Sequence, residues 1–328
     1  MPNPRGVMVF AEQREGVIHP VTYELLGKGR EIADRLGTEL LSVLLGEQTD
    51  SNHEAEELIY HGADRVFLYN SPVFRDFDLL NYRHNLVRLL KGIKPEIFLL
   101  GATHLGRSLG PRIAAALDTG LTADCTALDV DREGHLIQIR PAFSGNILAQ
   151  INTRTRPQMA TVRYKVMPRP DRDTGRCGEI IRKEAELVPS LMRILQKESS
   201  AATSIVEAEV IVSGGRGLKQ AGDFSLLEDL AGLIGGVVGS SRPLVDAGWI
   251  GREHQVGFSG NTVKPKVYLA CGISGSPQHL AGMRNADIII AINSDASAPI
   301  FRVADYGIVG DLYQVLPMLI NKIKRRRS

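Results

Sequence analysis

Five stretches in the second half of the chain place glycine, hydroxyl, amide and guanidinium groups around the ends of apolar runs. Val210-Ile211-Val212-Ser213-Gly214-Gly215-Arg216-Gly217 runs from an aliphatic strand into a glycine-rich turn, ahead of a helix predicted over Phe224 to Ile234. The strict dinucleotide fingerprint G-x-G-x-x-G fails, because Gln220 stands where its last glycine belongs. What remains is open backbone beside a permanent cation, Arg216, which suits a phosphate. Val237-Val238-Gly239-Ser240-Ser241-Arg242-Pro243 is a second strand end, with two hydroxyls and an arginine. Gln255 to Gly260 offers a loop of backbone donors, to which Ser259 adds a hydroxyl. The run from Val267 ends in Gly272-Ile273-Ser274-Gly275-Ser276, and Pro277 and Gln278 then open a helix. Ile288 to Asn293 finishes on a side-chain amide. Ligands of open α/β sheets bind outside the carboxyl ends of the strands, so a long nucleotide is the natural ligand here.

The elements that must position these groups follow from the apolar pattern. Gly6 to Phe10, Leu40 to Gly46, Val66 to Leu68 and Ile97 to Gly101 read as buried parallel strands. Helices are expected over His19 to Leu36, Glu54 to Tyr60, Leu79 to Leu90 and Gly106 to Leu117. This alternation predicts α/β architecture with a doubly wound, mostly parallel sheet. Thr126 to Val130, His135 to Arg140, Ile147 to Ile151 and Met159 to Tyr164 read as antiparallel strands extending that sheet. The turn Gly101 to Ser108, with Thr103, His104 and Arg107, is either a helix cap or an anion cradle. Ser199-Ser200-Ala201-Ala202-Thr203-Ser204 has linker composition and is expected to be a hinge. The predicted division is therefore 1–200, an α/β domain with the antiparallel extension, and 205–328, a smaller α/β domain.

Composition narrows the classes. Lys plus Arg number 39 against 37 Asp plus Glu, so no net field favours nucleic acid. Apolar runs such as Ile288 to Ile292 fall far short of a membrane span. Cys125, Cys177 and Cys271 are far apart, which argues against a disulfide framework, a zinc knuckle or an iron–sulfur cluster. With Gly6 to Phe10 already a strand, no targeting segment is expected, and a reducing cytoplasm is the expected compartment.

Ser213 to Gly217, Gly239 to Pro243, Gln255 to Gly257, Gly272 to Gly275, Gln278 to Met283, Ala291 to Asn293, Ala298 to Phe301 and Ala304 to Leu312 together resemble the alpha subunit of electron-transfer flavoproteins. The eight motifs keep one order from about residue 208 to 320. Looser likeness runs through His19-Pro20, Leu26 to Arg30 and Gly101 to Thr103. The resemblance implies FAD in the second domain. It implies Arg216 and Ser241 near the phosphates and ribityl chain, and Arg242 beside the isoalloxazine. Val256, Gly257, Phe258 and Ser259 would form the loop by the ring. Ser274, Gly275, Ser276, Pro277, Gln278 and His279 would wrap the pyrophosphate, with His279 at the flavin O2. Asn293, Asp311 and Leu312 would surround the adenosine half. Family members often carry Gln-Thr where this chain has Phe258-Ser259, so a hydroxyl is kept and an amide lost.

The same resemblance implies an electron carrier rather than a self-contained enzyme, with no catalytic triad and no metal. Its partners would be a beta subunit, contacted by the first domain, and an acyl-CoA dehydrogenase or similar flavin dehydrogenase. Some prokaryotic relatives hold a second FAD in the beta subunit and bifurcate electrons from NADH, one branch reaching ferredoxin or flavodoxin. Two other classes are a stand-alone NAD-dependent dehydrogenase, which the broken fingerprint disfavours, and a nucleotide-sensing module. Arg242 and His279 are expected to tune the flavin toward its anionic reduced forms.

Overall fold

A computed structural model describes residues 6–47, 52–142, 147–196 and 205–327. Among these the chain forms two compact units, residues 6–142 with 147–196 and residues 205–327. The stretch Ser199 to Ser204, expected to be a hinge, lies outside the described residues.

In the first unit β1 (Val7–Ala11) is buried along its whole length, as a central parallel strand with two covered faces must be. A short ribbon, β2 (Gln13–Arg14) with β3 (Val17–Ile18), leads to α1 (Val21–Leu36). Leu25, Leu26, Ile32 and Ala33 form the buried stripe of that helix, at the spacing one helical face requires. The alternation continues through β4 (Leu40–Gly46), α2 (His53–Tyr60), β5 (Arg65–Asn70), α3 (Leu79–Ile93), β6 (Ile97–Gly101) and α4 (His104–Ala116). Then follow β7 (Leu121–Cys125), β8 (Ala127–Val130), β9 (Leu136–Ala142), β10 (Ile147–Asn152), β11 (Gln158–Val162) and β12 (Glu179–Lys183). One seven-stranded sheet runs in the order β12-β5-β4-β1-β6-β11-β7, parallel throughout.

The expected antiparallel extension takes a different form. β8, β9 and β10 pair antiparallel with one another as a separate sheet. β11, expected among them, instead inserts parallel between β6 and β7. Burial explains the difference: all five residues of β11 are buried, whereas β10 is exposed at every other position or more. A strand covered on both faces belongs inside a parallel sheet. β12 escaped the sequence reading because only Ile180 and Ile181 are apolar, and it sits at the sheet edge beside β5.

The second unit comprises β13 (Val210–Gly214), α5 (Phe224–Ile234), β14 (Val237–Ser240), α6 (Arg242–Asp246), β15 (Val267–Cys271), α7 (Pro277–Met283), β16 (Ile288–Asn293), β17 (Tyr306–Val309) and α8 (Leu312–Arg327). Its five-stranded sheet runs β14-β13-β15-β16-β17, also parallel. Strand periodicity divides the core between the two faces. Val212, Leu269 and Cys271 pack with α5 and α8 on one side. Ile211, Tyr268 and Ala270 pack with Val256, Met283 and Ile300 on the other. All five strands point their carboxyl ends the same way, and that edge carries the polar residues.

Candidate functional site

A cavity of about 510 Å³ opens at this carboxyl edge. Every strand of the second unit contributes to it. Arg216 and Gly217 follow β13, Ser241 follows β14, and Gly272 to Ser276 follow β15. Asn293 ends β16, and Asp311 and Leu312 connect β17 to α8. His279, from α7, completes the set of nine predicted ligand residues that line the space. Pro299 and Gly310, from the motifs Ala298 to Phe301 and Ala304 to Leu312, line it too, as does Asp295, which lies in none of the stretches singled out from sequence. The Asn293-x-Asp295 turn could have been noticed, since Asp295 N–H donates to Asn293 Oδ1 at 2.9 Å.

Glycine makes the floor of this cavity. A Cβ on Gly215 would lie 2.4 Å from the Gly272 carbonyl oxygen, so only glycine lets the β13 and β15 turns close on one another. They are stitched there by Gly215 N–H to Cys271 O at 2.9 Å and Gly217 N–H to Gly272 O at 3.0 Å. Gly275 has φ +84°, and a Cβ on it would meet Ile300 N at 2.4 Å. The walls are fixed by side chains. Asn293 Nδ2 donates to Ile273 O at 3.0 Å, and Asp311 Oδ1 caps α8 by accepting from Tyr313 N–H at 3.0 Å.

Seven predicted residues stand outside the cavity lining. Arg242 opens α6 on the surface, its Nε 3.1 Å from Asp246 Oδ2. Val256 and Gly257 are buried, while Phe258 and Ser259 are exposed. Their loop is bound to α7, because Phe258 N–H donates to Gln278 O at 2.7 Å. Ser259 Oγ accepts from Gln255 Nε2 at 3.1 Å. Pro277 is the first residue of α7, with Gln278 next to it.

His279 is buried, and its Nε2 stands 3.0 Å from the Tyr268 hydroxyl. Burial pushes its pKa down to about 4, against a smaller upward effect of a hydrogen bond to the Val256 backbone. Tyr268 is also fully buried, which raises its pKa and keeps its hydroxyl protonated. That hydroxyl and Nε2 are paired by a hydrogen bond in which either can donate. At neutral pH His279 is uncharged. Its influence on a ligand is that of a fixed dipole, so of the expected pair only Arg242 carries positive charge.

The first-unit turn resolves as a helix cap. Thr103 Oγ accepts from Gly106 N–H at 3.0 Å at the start of α4, and donates to Glu12 Oε2 at 2.6 Å. The carboxyl group of Glu12 thus stands at this helix start. Arg107 forks onto Asp124, with N–O distances of 3.0 and 3.2 Å, and His104 is exposed. A separate cavity of about 310 Å³ in this unit includes Lys28 and Glu31, which pair with each other.

The second-unit cavity has the donor chemistry that FAD requires. Phosphates need a cation and hydroxyl or backbone donors, which Arg216, Ser241, Ser274 and Ser276 supply beside the glycine turns. Ribose and adenine need acceptors and an amide, which Asp295, Asp311 and Asn293 supply at the other strand ends. A hydrogen bond from Ser297 holds the Asp295 carboxyl below its usual range, so it is an ionised acceptor.

Comparison with known proteins bears on the whole chain. Residues 7–188 match the electron transfer flavoprotein domain model, and residues 204–284 match the electron transfer flavoprotein FAD-binding domain model. The electron transfer flavoprotein subunit alpha of Thermoanaerobacterium thermosaccharolyticum is 48% identical over 98% of both chains. Subunit LctC of the lactate dehydrogenase (NAD(+),ferredoxin) of Acetobacterium woodii is 46% identical over 98% of this chain and 77% of its own. Protein FixB of Azorhizobium caulinodans is 44% identical over 99% of this chain and 90% of its own.

Proposed function

The chain belongs to the electron transfer flavoprotein alpha-subunit family, with an FAD cofactor and electron transfer as its activity, and we propose that its second unit seats that FAD in the 510 Å³ cavity. The observation that carries the assignment is the convergence of five strand ends on one polar cavity. Arg216, Ser241 and the Ser274 to Ser276 turn would hold the phosphates, and Asn293, Asp311 and Leu312 the adenosine half. Val256 to Ser259, Arg242 and His279 would stand by the ring. FAD supplies one- and two-electron redox chemistry when bound. The chain's own part is to bind, orient and polarise: Arg242 brings a cation, and His279 a neutral, buried ring hydrogen-bonded to Tyr268.

The working complex in this reading is a heterodimer with a beta subunit, contacted by residues 1–200. It takes electrons from a flavin dehydrogenase, such as an acyl-CoA dehydrogenase, and delivers them to a second redox protein in the cytoplasm. Among the described residues no helix is long and apolar enough to cross a membrane. A second reading, NADH-dependent electron bifurcation toward ferredoxin or flavodoxin, is favoured by the relative whose name couples NAD(+) and ferredoxin. Flavin counting on the purified heterodimer and an NADH-oxidation assay separate the two. A single flavin without NADH oxidation supports simple transfer; two flavins with ferredoxin-coupled NADH oxidation support bifurcation. A colourless complex that takes up no FAD would refute both.

A further inference from the structure

We infer that Tyr313 and Asp223 form a clasp that positions the adenosine-side wall of the cavity. The inference rests on the proposed seating of FAD there. Tyr313 follows Asp311 and Leu312, two cavity-lining residues, in the first turn of α8. Its hydroxyl donates to the Asp223 carboxylate and accepts from Lys219 N–H at 2.7 Å. Asp223 Oδ2 also accepts from Lys219 N–H at 3.0 Å and Gln220 N–H at 3.1 Å. The Lys219 ammonium stands 4.6 Å from the Tyr313 ring centroid. These contacts fasten the segment that carries Arg216 and Gly217 to the helix that carries Asp311 and Leu312.

Two further features show why that fastening matters to the cavity. The Leu312 side chain lies over Gly217 and Gly272, so a shift of α8 would be felt at both glycine turns. Asp311 holds its capping bond to Tyr313 N–H, so clasp and ligand wall share one turn of helix. The hydrogen bond from Tyr313 keeps Asp223 below the usual carboxylate range, and a bond between a hydroxyl and an ionised carboxylate is among the stronger kinds. Pre-ordering a wall in its binding geometry raises affinity by removing an ordering cost from the binding step. Tyr313 and Asp223 are thus positioning residues, acting through Arg216 and Asp311.

The test uses the heterodimer stripped of FAD, with FAD titrated back and ADP as a competitor. Tyr313→Phe should weaken FAD and ADP by the same factor, roughly tenfold, equivalent to about 1.4 kcal/mol. The flavin midpoint potential and the melting temperature of the stripped complex should stay at their wild-type values. Asp223→Asn keeps an acceptor for Lys219 and Gln220 and should fall between wild type and Tyr313→Phe. Wild-type affinity in Tyr313→Phe, a loss for FAD without a matching loss for ADP, or a parallel drop in melting temperature would each overturn the clasp. If ADP fails to compete with FAD on the wild-type complex, the seating itself is wrong and the clasp falls with it.

Discussion

The Tyr268 hydroxyl and His279 Nε2, 3.0 Å apart and both buried, tie the sheet to the first turn of α7 beside the cavity. Burial of this pair keeps the imidazole neutral at pH 7 and makes the second unit acid-sensitive. In the folded chain His279 titrates near 4, below its ordinary 6.5. Between those values the unfolded chain binds a proton that the folded chain does not. Stability is complete above about pH 6.5 and declines as pH falls toward 4, by up to about 3 kcal/mol. Urea unfolding of His279→Gln at pH 7 and pH 4.5 should show a flatter pH dependence than wild type. An identical dependence in both proteins would remove His279 as its source.

Glu12 presents the opposite sign in the first unit. Burial raises its pKa from 4.5 to about 7, opposed by the hydrogen bond from Thr103. Above pH 7 the folded chain holds a desolvated carboxylate, whereas at pH 4.5 the group is neutral. Glu12→Gln should therefore stabilise the protein by up to about 3 kcal/mol at pH 8 and by little at pH 4.5. Equal effects at the two pH values would show that burial of charge at Glu12 is not the cause.

Arg242 and Asp246 form a surface pair with opposite expected effects on the flavin. Removing the cation with Arg242→Ala should lower the first reduction potential. Removing the anion with Asp246→Ala should raise it. Exposure and screening hold each shift below about 60 mV, the one-electron equivalent of a tenfold change. Spectroelectrochemical titration of both flavin-loaded variants reads the signs directly. Shifts in the same direction, or none, would leave Arg242 with only an anchoring role.

Much of this was legible because burial on two faces writes itself into composition. Ile97 to Gly101 and Phe224 to Ile234 are read from sequence with the bounds they adopt. Strand pairing was less legible. Gln158 to Val162 carries the same residues whether it joins an antiparallel sheet or slips between β6 and β7, and only its burial decides. At the site, Arg216, Ser241 and Asp311 follow strand ends and were visible as such. The Tyr313–Asp223 contact joins residues 90 positions apart, with no local spacing to announce it. Nor could the charge of His279 be read, since it depends on enclosure by Tyr268 and Val256.

The seating of FAD in the second unit is tested most directly by flavin content in two glycine variants of the heterodimer. Gly275 has φ +84°, with Ile300 N 2.4 Å from where its Cβ would stand; Gly232 in α5 has nothing within 4 Å. Gly275→Ala must displace the turn after β15, whereas Gly232→Ala adds a methyl to open space and favours the helix. With circular dichroism confirming that both variants are folded, Gly275→Ala should be purified largely free of FAD and Gly232→Ala with its wild-type complement. Full FAD content in folded Gly275→Ala would contradict the assignment of the cofactor to this cavity.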